Sequence, residues 1–243
     1  MRTIVLIVLI LASASMADAQ GLPALTLNDA DGATTYSLSL QILVLMTALT
    51  VLPSLVLGMT AFTRIIISLS ILRQALGTQQ TPPNQVLIAL ALFLTFFIMQ
   101  PTLTEVYDGA VQPYLAGTMD ADTALAKGSV TMKLWLVENT RQNDLMMFSE
   151  MAGTGPYARP EDVPFPVLLP AFMTSELKTA FQIGFLLFLP FLVIDMVIAS
   201  ILMALGMMML SPMLVSLPFK LLLFVLVDGW ALTVGSLAAT YGG

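Results

Sequence analysis

The chain has 243 residues, 58% hydrophobic and 10% charged, with a mean hydropathy of +0.91 and a net charge of −6. Soluble domains carry about 25% charged residues, so this composition places the chain in a membrane or in an assembly derived from one, and its mild acidity argues against nucleic acid as a partner. It has no cysteine and no histidine, which excludes thiol nucleophiles, disulfides, Cys/His zinc sites and imidazole acid–base chemistry together.

Residues 1–19 read as a cleavable secretory leader. Arg2 gives the positive start, Ile4–Ala12 is an apolar run too short to span a bilayer, and Ala17-Asp18-Ala19 fits a small-x-small cleavage site. The alternative is an uncleaved anchor helix. Cleavage after Ala19 leaves the new N-terminus outside the cytoplasm. Residues 20–103 form a second section. Gln20–Ser37 is polar and short, and Leu40–Met59 is a long apolar segment interrupted by Pro53. In Phe62–Leu76, the residues Phe62, Ile65, Ile66, Leu69, Leu72 and Leu76 share one helical face. Arg64 and Arg73 interrupt that segment and read as topology or packing charges. GTQQTPPN (Gly77–Asn84) is a turn by its glycine and paired prolines. Val86–Met99 is a third apolar helix, stopped by Gln100-Pro101 and shorter than the roughly 20 residues of a spanning helix. Short and broken segments in succession point to helical hairpins packed in protein.

Residues 104–178 are polar, holding ten of the fifteen acidic and five of the nine basic residues. Ala124–Met151 reads as mostly helical and Gly153–Pro170 as a loop. Trp135 and Phe148 lie among charges, either as the core of a small external domain or as a subunit interface, where large aromatics are enriched. Glu176 is either part of an N-terminal capping region with Thr174-Ser175 or an intersubunit contact. Residues 179–243 form a C-terminal helical hairpin. Its first helix is Thr179–Leu205, carrying Pro190 and Asp195; its second is Leu217–Leu237, carrying Pro218, Lys220 and Asp228. Asp228-Gly229-Trp230 reads as a helix break with an interfacial tryptophan. The excess of bases around Arg64 and Arg73 and the excess of acid in 104–178 put the first inside and the second outside.

Asp195 lies within FLVIDMVIAS. An aspartate at mid-bilayer costs about 2.5–3.5 kcal/mol on insertion scales, so it should face protein or water and have a partner. Lys220, on the following helix, is the natural one. Three readings stand: a structural ion pair within or between subunits, a proton-relay carboxylate, or water-facing charge lining a channel. Between these two charges, six of the seventeen methionines fall from Met196 to Met213. Met207, Met208 and Met209 cannot share one helical face, and Gly206 and Pro212 mark a helix break around them. Thioethers repack at little cost. Three such side chains on a loop at membrane depth are either buried in protein or crowd a pore axis; in the second case a ring of such loops would close the pore to water and ions and yield to a passing chain, as a hydrophobic constriction does.

FTRIIISLSILRQALGTQQTPPNQV (Phe62–Val86), FMTSELKTAFQIGF (Phe172–Phe185) and LGMMMLSPMLVSLPFKLLLFVLVDGW (Leu205–Trp230) resemble the FliP family, the P subunits of the type III secretion export gate. The resemblance runs from about Leu40 to the C-terminus. It implies an all-α, membrane-associated protein of helical hairpins with broken helices, assembling into a helical pore complex. It further implies five copies of the chain joined to FliQ-like and FliR-like subunits at the bacterial inner membrane, within the flagellar basal body. Other export-apparatus and rod proteins are implied as neighbours, and unfolded rod, hook and filament proteins as cargo. The family's methionine gasket falls on Met207, Met208 and Met209. No catalytic residues, cofactor or metal are implied, and the chain is not expected to be an enzyme. Injectisome relatives share the architecture, and TQQTPP favours the flagellar branch. The rival readings are a proton-coupled transporter, a membrane-embedded hydrolase and a purely structural membrane protein. The transporter lacks a visible repeat. The hydrolase would need an aspartate dyad such as Asp195 with Asp228, or a Ser–Lys pair.

Overall fold

The computed structural model describes residues 38–78, 80–207 and 209–241, with side chains from Ile42 onward. The expected leader and the polar stretch after it lie outside the described residues, as does Met208. Every regular element among the described residues is a helix. These are α1 (Leu38–Gly58), α2 (Phe62–Leu76), α3 (Asn84–Val106), α4 (Ala121–Glu138), α5 (Gln142–Met151), α6 (Phe165–Ala204), α7 (Pro212–Leu226) and α8 (Gly229–Ala239). The chain divides into two units after Ser54. In the first, the described residues belong to α1, an apolar helix without a charged residue that carries Pro53.

In the second unit α2 is the organising element. Its stripe Ile65, Leu69, Leu72 and Leu76 is buried, as the helical spacing requires, and α2 lies along α6. Three apolar cores fill the unit, two of them built on α2. Ala61, Ile65 and Leu69 pack with Leu87, Ala91 and Leu94 of α3 and Leu237 of α8. Leu72, Ala75 and Leu76 pack with Phe191 of α6 and Phe224 of α7. A third core joins Met99 of α3 to Trp135 and Leu136 of α4 and to Val167, Leu168 and Phe172 of α6. Each large side chain so buried stabilises the fold by about 1.5–3 kcal/mol. Gly77 ends α2 in the left-handed region (φ 77°), its N–H bonding the carbonyl of Gln74 at 3.0 Å. Asp120 caps α4 by accepting from the Thr123 N–H at 3.1 Å.

Three helix boundaries differ from the sequence reading. Gln100-Pro101 does not stop α3, which winds on through a π-turn at Tyr107–Val111 to Leu115. One hydrogen bond lost at the proline is outweighed by packing on both sides of it. Met99 is buried before it, and Ala110 after it sits close enough to α4 that a methyl on Gly128 would touch its Cβ at 3.7 Å. Helix α6 begins at Phe165, well before Thr179, with Pro166 in the first turn where its missing N–H goes unused. Thr174-Ser175-Glu176 therefore lies within the helix and does not start it; the Ser175 hydroxyl instead accepts the Arg141 N–H at the start of α5 at 2.9 Å. Helix α7 begins at Pro212 instead of Leu217, and a break at Val227-Asp228 bends α8 away from it by 64°. As drawn, α3 with its extension (Asn84–Leu115) and α6 (Phe165–Ala204) are long and apolar enough to cross a membrane. Helix α7 with α8 passes the same test as one broken span.

Candidate functional site

The C-terminal hairpin brings Asp195 and Lys220 together. Lys220 Nζ donates to Asp195 Oδ2 at 2.6 Å and to the Ala75 carbonyl at 3.1 Å, and Ser216 Oγ donates to Asp195 Oδ1 at 2.5 Å. Lys220 is 2% exposed, while a third of the Asp195 side chain is open. The helix spacing accounts for this. Ser216 and Lys220 are four residues apart and so share one face of α7, the face turned to Asp195. The Ala75 carbonyl lies in the last turn of α2, at the negative end of that helix, where a cation is favoured. The ammonium thus ties three elements together just below the α6–α7 turn.

That turn is the methionine loop. Gly206 ends α6 in the left-handed region (φ 72°). The Gly206 N–H bonds the Met203 carbonyl and the Met207 N–H bonds that of Leu202, both at 3.0 Å. The two bonds together form a Schellman stop, which needs a residue free of a Cβ at Gly206. Pro212 opens α7 in its first turn. Between them Met207 is half-exposed and Met209 fully so. Large thioethers are thus presented by a loop bounded by the Schellman stop and by Pro212, while the Asp195–Lys220 pair joins the two helices deeper in the hairpin.

The polar section places its aromatics inward. Trp135 is buried against Phe172 (centroids 5.6 Å apart) and stacks on Tyr241 at 6.0 Å, and Phe148 packs against the same core. Glu176, considered as an intersubunit contact, has no exposed surface. It is paired with Arg64, whose Nε lies 3.1 Å from Glu176 Oε2 and whose Nη2 faces Oε1. Arg64 also donates to the Thr240 hydroxyl at 2.9 Å, and its guanidinium lies 3.8 Å over the Tyr241 ring. The Tyr241 hydroxyl donates to Glu176. Burial and the Glu176 charge push the Tyr241 phenol above its ordinary range, so it remains a donor. Arg64 is accordingly a packing charge, as its place in the apolar run allowed: buried, it holds Thr240 and Tyr241 to α6. Sequence reasoning missed this cluster. Beside it, Arg141 donates to Thr179 at 3.0 Å and Lys178 pairs with Asp144, fastening α5 to α6. No group of three or more acidic residues with metal-ligand geometry occurs among the described residues.

Comparison with known proteins gives the family of the chain. A family model described as the FliP family matches residues 45–237. The chain is 77% identical over 223 residues to a flagellar biosynthetic protein FliP of Cereibacter sphaeroides, covering 92% of this chain and 74% of that one. It is 56% identical over 211 residues to the Pectobacterium carotovorum protein of the same name, covering 87% of this chain and 82% of that one. A third, from Bacillus subtilis, is 51% identical over 205 residues, covering 84% and 93%. With the family model and these relatives spanning its helical part, the chain belongs to the FliP family of flagellar biosynthetic proteins.

Proposed function

We propose that this chain is a core subunit of the flagellar type III protein export gate, lining the pore through which unfolded rod, hook and filament proteins leave the cell. The observation that carries the reading is the pairing of an exposed methionine loop with a rigid base. Met207 and Met209 project from a turn between Gly206 and Pro212, in a hairpin whose two helices the Asp195–Lys220 pair joins. Several copies of such a loop around an axis form a seal of adaptable apolar side chains, tight to water and ions and displaceable by a polypeptide. The ion pair keeps neighbouring helices in register, and the chain acts as a structural gate component with no chemistry of its own.

The same reading gives the setting. The gate lies in the bacterial inner membrane at the flagellar basal body, with residues 104–178 on the periplasmic side and the leader removed. Five copies join FliQ-like and FliR-like subunits and the rod proteins above them. The flagellar names of the relatives support the flagellar over the injectisome branch. Replacing Met207, Met208 and Met209 together by alanine is the decisive test. The assembled complex should form in normal amount and leak ions measurably in membrane conductance, whereas conductance equal to that of the parent would remove the gasket role.

A further inference from the structure

Helix α8 meets the rest of the chain along one narrow stripe. Gly229, Thr233 and Leu237 are its buried residues, and Tyr241 follows at the same spacing of four, so all four share one face. Gly229 has no side chain to pack, and the Thr233 hydroxyl turns back to the Gly229 carbonyl of its own helix at 2.7 Å. Leu237, with Val234 beside it, reaches the core of α2 and α3. Tyr241 adds polar and aromatic contacts together. Its ring stacks on Trp135 and lies against the Arg64 guanidinium, its hydroxyl donates to Glu176, and the Thr240 hydroxyl accepts a bond from Arg64.

The other end of α8 is the break at Val227-Asp228, where the helix axis turns by 64°. Asp228 stands there exposed, in the left-handed region (φ 50°, ψ 55°), and its side chain caps neither helix. A few residues between two helices are where a hinge absorbs a change of direction. On the near side of the break α7 is anchored separately, through Lys220 to Asp195 and Ala75 and through Phe224 against Phe191. Helix α8 has 11 residues, too few to hold itself in isolation, so its place depends on what it touches. We propose that α8 is a hinged strap that opens at Val227-Asp228 while α2, α6 and α7 stay packed, with Tyr241 as the latch that shuts it over the Arg64–Glu176 pair. The motion belongs to the single chain and goes beyond the export-gate reading. The cluster divides cleanly for it. Arg64 and Glu176 stay bonded to each other on α2 and α6, so opening strands neither charge, and only the cover leaves with α8. Gly229, with no room for a methyl beside the Phe224 ring, keeps the pivot against α7.

The chain has no cysteine, so a single introduced thiol reports on its own site. Thr233→Cys puts one on the buried face of the strap and Ser236→Cys one on its exposed face. Ser68→Cys puts one in the α2–α6 seam: Ser68 lies one turn beyond Arg64 on the same face of α2, fully buried, and its hydroxyl has no bond among the described residues. The test is the rate at which N-ethylmaleimide labels each thiol in the purified full chain, relative to Ser236→Cys. Thr233→Cys should react more slowly than Ser236→Cys and faster than Ser68→Cys. Tyr241→Phe, which keeps the ring and drops the hydroxyl, should speed Thr233→Cys by about tenfold. Tyr241→Ala should speed it further, and neither should change Ser68→Cys. A Thr233→Cys rate indifferent to Tyr241→Ala would show that the tyrosine is no latch. Equal acceleration of Ser68→Cys and Thr233→Cys would show that α8 opens only with the whole fold, and a chain unable to fold with Tyr241→Phe would show the same.

Discussion

Lys220 and Asp195 share one bond but depend on it unequally. Without Asp195, the ammonium, 2% exposed, keeps only the Ala75 carbonyl. Without Lys220, the carboxylate keeps Ser216 and the water that reaches its open third. Stranding a buried charge costs about 3–5 kcal/mol, whereas loss of one partner from a part-solvated carboxylate costs about 1–3 kcal/mol. Asp195→Ala should therefore destabilise the chain more than Lys220→Met, which keeps the apolar stem. The double variant should be milder than the sum, with a coupling of about 0.5–3 kcal/mol in denaturant unfolding. Equal and additive losses would show that the two residues act separately. This pair was legible in the sequence because each charge interrupts an apolar run and a turn separates the runs. Arg64 and Glu176 were not, being 112 residues apart. Thr174-Ser175 beside Glu176 imitates a helix start, and nothing local marks a buried guanidinium. Only the fold, by laying α2 along α6 and returning Tyr241 to them, assembles that cluster.

Gly184 sets how closely α2 and α6 approach. A methyl added there would lie 2.4 Å from Ile71 Cδ1 and 2.9 Å from its Cγ2. Two contacts that short are not relieved by turning the end of one side chain, so the helices themselves must part. Overpacking of this kind costs about 1–3 kcal/mol, and since the α2–α6 seam also aligns Arg64 with Glu176 and Ala75 with Lys220, the strain reaches both charge sites. Gly184→Ala should lower the thermal midpoint of the purified chain, while Gly155→Ala, where an added Cβ meets nothing within 4 Å, should leave it unchanged. A Gly184→Ala protein as stable as its parent would mean that the seam is loose. At this scale the apolar runs predicted the helices well and their ends poorly. Pro101 read as a stop and Pro170 as the end of a loop, yet helices pass through both, as α6 passes through Pro190, which the apolar run had already placed inside a helix. In a largely apolar surrounding, a broken helix exposes backbone groups that no water can satisfy, so continuing past a proline is the cheaper course.

The molecule leaves much apolar surface uncovered. Phe93, Phe96 and Phe97 of α3, Phe181, Phe185 and Leu186 of α6 and Leu214, Val225 and Leu226 of α7 are all largely exposed. A soluble monomer rarely shows contiguous apolar patches beyond a few hundred Å², so lipid or other subunits must cover these. Arg64, Glu176 and Lys220 have their partners inside the chain, so these buried charges ask for no neighbour. Apolar faces that also carry an exposed aspartate and an exposed thioether loop suit protein neighbours better than lipid tails. Detergent-purified protein should therefore elute as an oligomer several times the 26.1 kDa chain, and as a larger particle when the proposed FliQ-like and FliR-like partners are co-expressed. A monomer or dimer in both preparations, above all one that takes up a small solute in vesicles, would favour a transporter working alone. Its substrate site would then have to be built from the single Asp195–Lys220 pair, with Asp228 left without a partner.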